Sequence, residues 1–123
     1  MKLFLFMVLL HFFADFTLQG ILADLKRKSW WRAQCQKHGV ASSMYEYDHI
    51  CGLVCHSLYW SLLTFSPLIF LRASALQALA LVVINTAIHA VIDNAKANQY
   101  KINLSQDQLL HLAQIAFTMV IFG

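Results

Sequence analysis

The sequence predicts an all-α protein, a four-helix transmembrane bundle with an intramembrane His/Asp site near the cytoplasmic side. Three observations lead there. Of the 123 residues, 59% are hydrophobic and only 12% are charged, far more apolar than a soluble domain of this size. The apolar residues fall in four runs, each near the roughly 20 residues that a helix needs to cross a bilayer. Every run also carries polar residues at helical spacing, and polar groups in hydrocarbon are stable only when they face a bundle interior. Four Gly, one Pro and no low-complexity tract exclude a collagen-like or linker-rich chain. The length leaves room for one membrane domain, residues 1–123, and none for a large soluble catalytic domain.

The first span, about 3–22, reads LFLFMVLLHFFADFTLQGIL, and His11, Asp15 and Gln19 recur every four residues along one face. A signal peptide is the rival reading, since Met1-Lys2 precedes an apolar run. The imidazole and carboxylate inside that run, and the lack of a clean small-x-small cleavage site, weigh against it. The basic loop, 25–48, holds Lys26, Arg27, Lys28, Arg32 and Lys37 beside Trp30 and Trp31, a composition suited to a membrane interface. It is long for a structureless loop, so an interfacial helix around the two tryptophans is expected. The second span, about 49–71, carries His49, His56 and Thr64, with Pro67 expected to kink or end it. The third, about 73–95, places Asn85, His89 and Asp93 on one stripe that continues to Lys96. The fourth, about 105–122, opens with Ser105-Gln106-Asp107-Gln108, read as a capping box with Ser105 at the N-cap, and its polar stripe is Asp107, His111, Gln114 and Thr118.

Alternating topology puts Lys26, Arg27, Lys28, Arg32, Lys37, Lys96 and Lys101 on one side and leaves Lys2 and Arg72 on the other. The positive side is cytoplasmic, so both termini are expected to face away from the cytoplasm. At 1.5 Å per residue, His11, Asp15, His56, His89, Asp93, Asp107 and His111 all fall in the cytoplasmic half of the bundle. Three pairs, His11 with Asp15, His89 with Asp93, and Asp107 with His111, sit one helical turn apart. Imidazole and carboxylate are ligands for zinc, manganese or iron, and helix bundles hold such ions with ligand pairs one turn apart on facing helices. Those seven residues are therefore the candidate metal ligands, for one or two divalent ions with zinc the leading choice. A hydrogen-bonded proton or ion path and purely structural polar packing are the other readings of the same stripes. Cys35, Cys51 and Cys55 give no disulfide framework and are read as small apolar fillers.

The ordered set His11-x3-Asp15-Phe16-x2-Gln19, His89-x3-Asp93-x2-Lys96 and Asp107-Gln108-x2-His111 resembles a bacterial and phage family of small integral-membrane proteins catalogued as a domain of unknown function. The resemblance covers nearly the whole chain and implies residence in a bacterial inner membrane. More loosely, the arrangement is similar to predicted membrane-bound metal-dependent hydrolases, an analogy at the level of fold and residue type.

The leading functional expectation is a metal-dependent hydrolase acting on a phosphate or lipid-linked ester at the cytoplasmic face. His11, His56, His89 and His111 would ligate the metal. Asp15, Asp93 and Asp107 would complete the shell, orient imidazoles or take a proton from bound water. Lys96 would hold a phosphate or developing oxyanion, with a boundary lysine serving topology as its plainer reading. Gln19 and Gln108 would donate to substrate or to ligating carboxylates. A proton or divalent-metal transport component and a metal-stapled membrane interaction protein of phage or host are the alternatives. The lipid bilayer is the expected partner, a homodimer is open, and nucleic acid is not expected because topology already accounts for the few basic residues.

Overall fold

Leu, Ile, Ala and Phe dominate the apolar runs, and in the computed structural model, which describes residues Met1–Gly123, these runs coil into helices with no strands. The helices are α1 (Lys2–Phe12), α2 (Leu22–Leu25), α3 (Lys28–His38), α4 (Asp48–Leu71), α5 (Ala75–Ala97) and α6 (Leu104–Phe122). A π-helical stretch, Phe13–Thr17, extends α1, and a 3-10 turn, Ser42–Tyr45, precedes α4. α4 lies at the centre, packed against α1, α2, α3 and α5, while α6 closes the bundle against α5 and α1.

The first expected span is not one helix over 3–22. After Phe12 the ladder widens, with the Leu18 amide donating to the Phe13 carbonyl five residues back at 2.9 Å. The Gln19 side-chain amide closes the end by donating to the Asp15 backbone carbonyl, so Gln19 serves the backbone. Gly20, at φ +49°, then supplies the left-handed conformation that starts the turn into α2. The continuous rod Lys2–Thr17 is about 24 Å long at 1.5 Å per residue, short of the roughly 30 Å hydrocarbon layer. The basic loop contains the expected helix around Trp30 and Trp31, which is α3.

Pro67 does not end its helix. Proline cannot donate to the Leu63 carbonyl, but the Ser66 hydroxyl does so at 2.8 Å, and α4 runs on to Leu71. α6 starts earlier than the expected cap: Asn103, not Ser105, accepts from the Gln106 amide while the Gln106 side chain accepts from the Asn103 amide. Asparagine is at least as good an N-cap as serine, and the shift frees Gln108 for the interior. A second capping box, Ser74 with Gln77, starts α5.

The distribution of polarity is inside out. Of 25 buried residues, most are polar or charged, whereas Leu5, Phe6, Leu58, Leu79, Val83, Val91, Phe117 and Val120 face outward. The segments Ser42–Leu71 and Ala75–Ala97 are long and apolar enough to cross a membrane. Of the four spans expected from sequence, these two meet that test. The first is interrupted by the π stretch, and α6 spends its first two turns on Gln106, Asp107, Gln108 and His111.

Candidate metal centre

Four helices deliver the site because helical periodicity stacks their polar residues on one stripe each. α5 buries Asn85, His89 and Asp93; α6 buries Asp107, His111, Gln114 and Thr118; α4 buries His56, Trp60 and Thr64. α1 contributes His11, and the π stretch turns Asp15 inward, as such widened turns often do at functional sites. The seven residues singled out from sequence are all buried in one cluster.

The distances define its centre. His56 Nε2 lies 3.1 Å from Asp93 Oδ2, 3.2 Å from His89 Nε2 and 3.7 Å from Asp15 Oδ1. His111 Nε2 lies 3.5 Å from Asp93 Oδ1 and 3.4 Å from Asp107 Oδ1. Three overlapping ligand sets could each hold a metal ion: Asp15, His56 and His89; His89, Asp93 and His111; and Asp15, Asp107 and His111. Two donors each about 2.0 to 2.1 Å from a tetrahedral zinc stand about 3.3 to 3.4 Å apart, close to the spacing around His111.

The rings are held by stacking. Trp60 lies on His89, and His89 on His111, with centroids 4.1 Å apart and planes at 22° in both pairs. Trp60 Nε1 also donates to His11 Nδ1 at 2.9 Å, which places the His11 proton on Nε2, where it meets Gln108 Oε1 at 3.0 Å. Both His11 nitrogens are thus engaged, and His11 stands outside the three ligand sets. The Gln108 amide donates to Asp15 Oδ2 at 3.2 Å and Asp107 Oδ2 at 3.0 Å, tying two carboxylates together.

Lys26 is the residue that sequence reasoning placed elsewhere. Counted there with the interfacial charges, it is 7% exposed, with Nζ 2.6 Å from Asp93 Oδ2 and 3.3 Å from His56 Nε2. Its seat is built by close approach of α2 to α4. A Cβ at Gly52 would overlap the Leu25 carbonyl, so only glycine lets this backbone in. Asn98 fixes the next turn, accepting from the Lys28 amide at 2.7 Å and donating to the Lys26 carbonyl at 3.0 Å. Lys96 Nζ lies 2.5 Å from Asp107 Oδ2 at the partly exposed edge of the cluster. His49 is apart, against the Glu46 carbonyl. Cys51 and Cys55 are exposed rather than core fillers, because their positions on α4 face away from the bundle; Cys35 is buried.

Three carboxylates and two ammonium groups leave one unmatched negative charge when the imidazoles are neutral. Asp15 Oδ1, Asp93 Oδ1, Asp107 Oδ1 and His111 Nε2 have no hydrogen-bond partner, although buried polar atoms nearly always find one. Such ligand-type oxygen and nitrogen atoms, converging without an aligned partner, are of a kind that could hold a cation. The outer nitrogens of His56, His89 and His111 also lack partners, whereas histidines on a metal usually donate from that nitrogen, a support whose loss costs 10–100-fold in affinity. The buried His/Asp groups could hold a metal ion.

Comparison with protein-family models, curated proteins and solved structures returns no match.

Proposed function

We propose that the chain is an integral-membrane, divalent-metal-binding helical bundle, and that its metal centre is hydrolytic, acting on a phosphate or lipid-linked ester at the cytoplasmic face. The observation that carries this reading is the convergence of three unpartnered carboxylate oxygens and His111 Nε2 inside the bundle. The inside-out polarity supports the membrane assignment, with α1, α4, α5 and α6 as the four-helix bundle. Seven of the nine Lys and Arg residues belong to the segments at the cluster end, which supports a cytoplasmic position for that end. Both chain termini then lie at the opposite, non-cytoplasmic end, as in a bacterial inner-membrane protein.

Asp15, His56, His89, Asp93, Asp107 and His111 would hold the ion, zinc first among the candidates with manganese or iron next. The three overlapping ligand sets leave room for one ion or two. A bound divalent ion supplies Lewis acidity and a nucleophilic water near neutral pH. His11 acts through Gln108, positioning Asp15 and Asp107. Lys96, held by Asp107 at the cluster edge, is the cation nearest an entering anionic group. All ligand sets come from one chain, so the site does not require a homodimer.

Transport is the weaker reading. Beyond Asn85 the interior is closed by Met7, Phe65, Leu68 and Leu81, which offers no relay toward the far end. A metal-stapled interaction protein shares the same ligands and differs in having no turnover.

Protein purified in detergent without chelators should carry about one equivalent of metal by elemental mass spectrometry, and His89→Ala and Asp107→Ala should lose it. Metal-free wild type overturns the metal centre. Metal-loaded wild type that turns over nothing in a panel of phosphate and lipid esters overturns the hydrolase and favours the stapled protein.

A further inference from the structure

α3 and the 3-10 turn line two hollows apart from the His/Asp cluster. A cavity of about 160 Å³ lies between helix and turn, lined by Lys28, Arg32, Ser42 and Ser43, with Glu46 at one side. Its wall is a stacked pair, Trp31 on Tyr45, with centroids 5.8 Å apart and planes at 11°. The same pair also lines a groove of about 400 Å³, whose further lining includes Trp30 and Val40 with Gln34 and His38 as its polar members. Trp31, Cys35 and Tyr45 line both. One hollow is thus cationic and hydroxylated, its neighbour is mainly apolar, and they share a wall.

We propose that this pair of hollows binds an anionic phospholipid, the phosphate in the cationic cavity and the start of an acyl chain in the groove. Arg presents a planar fork of donors that matches phosphate oxygens, and Lys adds a mobile point charge. Ser42 and Ser43 supply hydroxyl donors. Glu46 is the one acidic side chain lining the cavity, 3.9 Å from Lys28 Nζ, and an arriving phosphate competes with it for that ammonium. The Trp31 indole is not free to swing, since its Nε1 donates to the Leu25 carbonyl at 2.8 Å. The indole that lines both hollows is therefore fixed before the lipid arrives, which lowers the ordering cost of binding. A segment that served only as a topology signal needs no such cavity. The proposal stands without the metal centre.

The test is a titration of the detergent-purified full chain, read by tryptophan emission, since Trp30 and Trp31 line the site and Trp60 gives a buried background. Three probes are used: dihexanoylphosphatidylglycerol, dihexanoylphosphatidylcholine and glycerol phosphate. The expected result is saturable binding of the phosphatidylglycerol, at least tenfold tighter than the other two. Lys28→Gln and Arg32→Gln should each weaken it about tenfold, the scale of one hydrogen bond to a charged group, and Glu46→Gln should tighten it. Equal affinity for the two lipids, which requires no variant, overturns the proposal. So does wild-type binding by the double variant Lys28→Gln/Arg32→Gln. Glycerol phosphate binding as tightly as the phosphatidylglycerol overturns the lipid assignment and leaves a site for free phosphate.

Discussion

The bundle interior contains two polar zones one helical turn apart, and they differ in the charge of their groups and in how fully the central groups are matched. In the neutral zone Asn85 is a hub. Its amide donates to the Leu81 carbonyl at 2.9 Å, and its Oδ1 accepts from Gln114 Nε2 at 2.8 Å and Thr118 Oγ1 at 2.9 Å. The hub's donor and acceptor are both matched across α5 and α6. In the charged zone, beginning at His89 and His111, acceptor oxygens outnumber aligned donors and several lone pairs are unused. Buried polar networks stabilise when satisfied and cost when they are not. The same two helices thus carry an amide hub that fastens them at one level, with Gln114 Oε1 beside it left over, and a group of unmatched carboxylate oxygens at the next.

Separating the two zones is the largest expected effect. His111→Ala removes an imidazole that belongs to two of the three ligand sets, leaving Asp15, His56 and His89 intact, and should lower metal retention at least tenfold in elemental analysis. Asn85→Leu should leave metal content unchanged and lower stability by about 1–3 kcal/mol, the cost of stranding the Gln114 and Thr118 donors. Loss of metal from Asn85→Leu would merge the zones and break the comparison.

Lys26→Met sharpens it. Removing one partner of a buried ion pair costs about 3–5 kcal/mol because the other charge is left uncompensated, here Asp93. Metal-free Lys26→Met should therefore melt well below wild type in a detergent thermal-denaturation assay. Added zinc or manganese should stabilise the variant more than the wild type, because the cation replaces the ammonium and no longer competes with it. A variant that melts low and does not respond to metal would make Lys26 a purely structural counter-ion.

The unequal legibility of these residues in the sequence has a physical cause. His11, Asp15, His89, Asp93, Asp107 and His111 declare themselves because a helix converts spacing of four into one face, and a polar stripe on an otherwise apolar helix belongs inside a helical packing. Lys26 has no such signal. It stands among Arg27, Lys28, Arg32 and Lys37, and its burial depends on the turn at Gly20 and the close contact at Gly52, neither of which is periodic. Gln108 is half legible: its type and place in α6 suit a donor to carboxylates, as found at Asp15 and Asp107, while the cap falls at Asn103 rather than Ser105 because serine and asparagine caps look alike in sequence. The π stretch was hidden for a related reason: it inserts an extra residue in the turn without disturbing apolar composition. Trp60 passes as an ordinary core residue until its ring is seen against His89 and its Nε1 against His11.

Gly52→Ala should act on Lys26 at a distance. The new methyl overlaps the Leu25 carbonyl, so α2 must move off α4, at an overpacking cost of about 1–3 kcal/mol. The displacement unseats the ammonium from Asp93 without changing any ligand. Reduced stability with metal retained, and a gain in stability on metal addition like that of Lys26→Met, is the expected signature from the same assays. An unchanged melting temperature would mean that the α2 contact does not hold Lys26 in place.

Ser66→Ala is the smallest effect and tests whether backbone repair away from both zones is independent of the site. Pro67 leaves the Leu63 carbonyl without its usual helical donor, and the Ser66 hydroxyl takes that place. Its loss should cost about 0.5–1.5 kcal/mol, one net hydrogen bond, read as a modest drop in melting temperature. Metal content should not change, because His56 lies more than two turns away on α4 and its Nε2 is fixed by Lys26, His89 and Asp93 rather than by the local backbone. A fall in metal content with this substitution would mean that the apolar end sets the helix register on which the charged zone depends, and that the two ends of α4 cannot be varied separately.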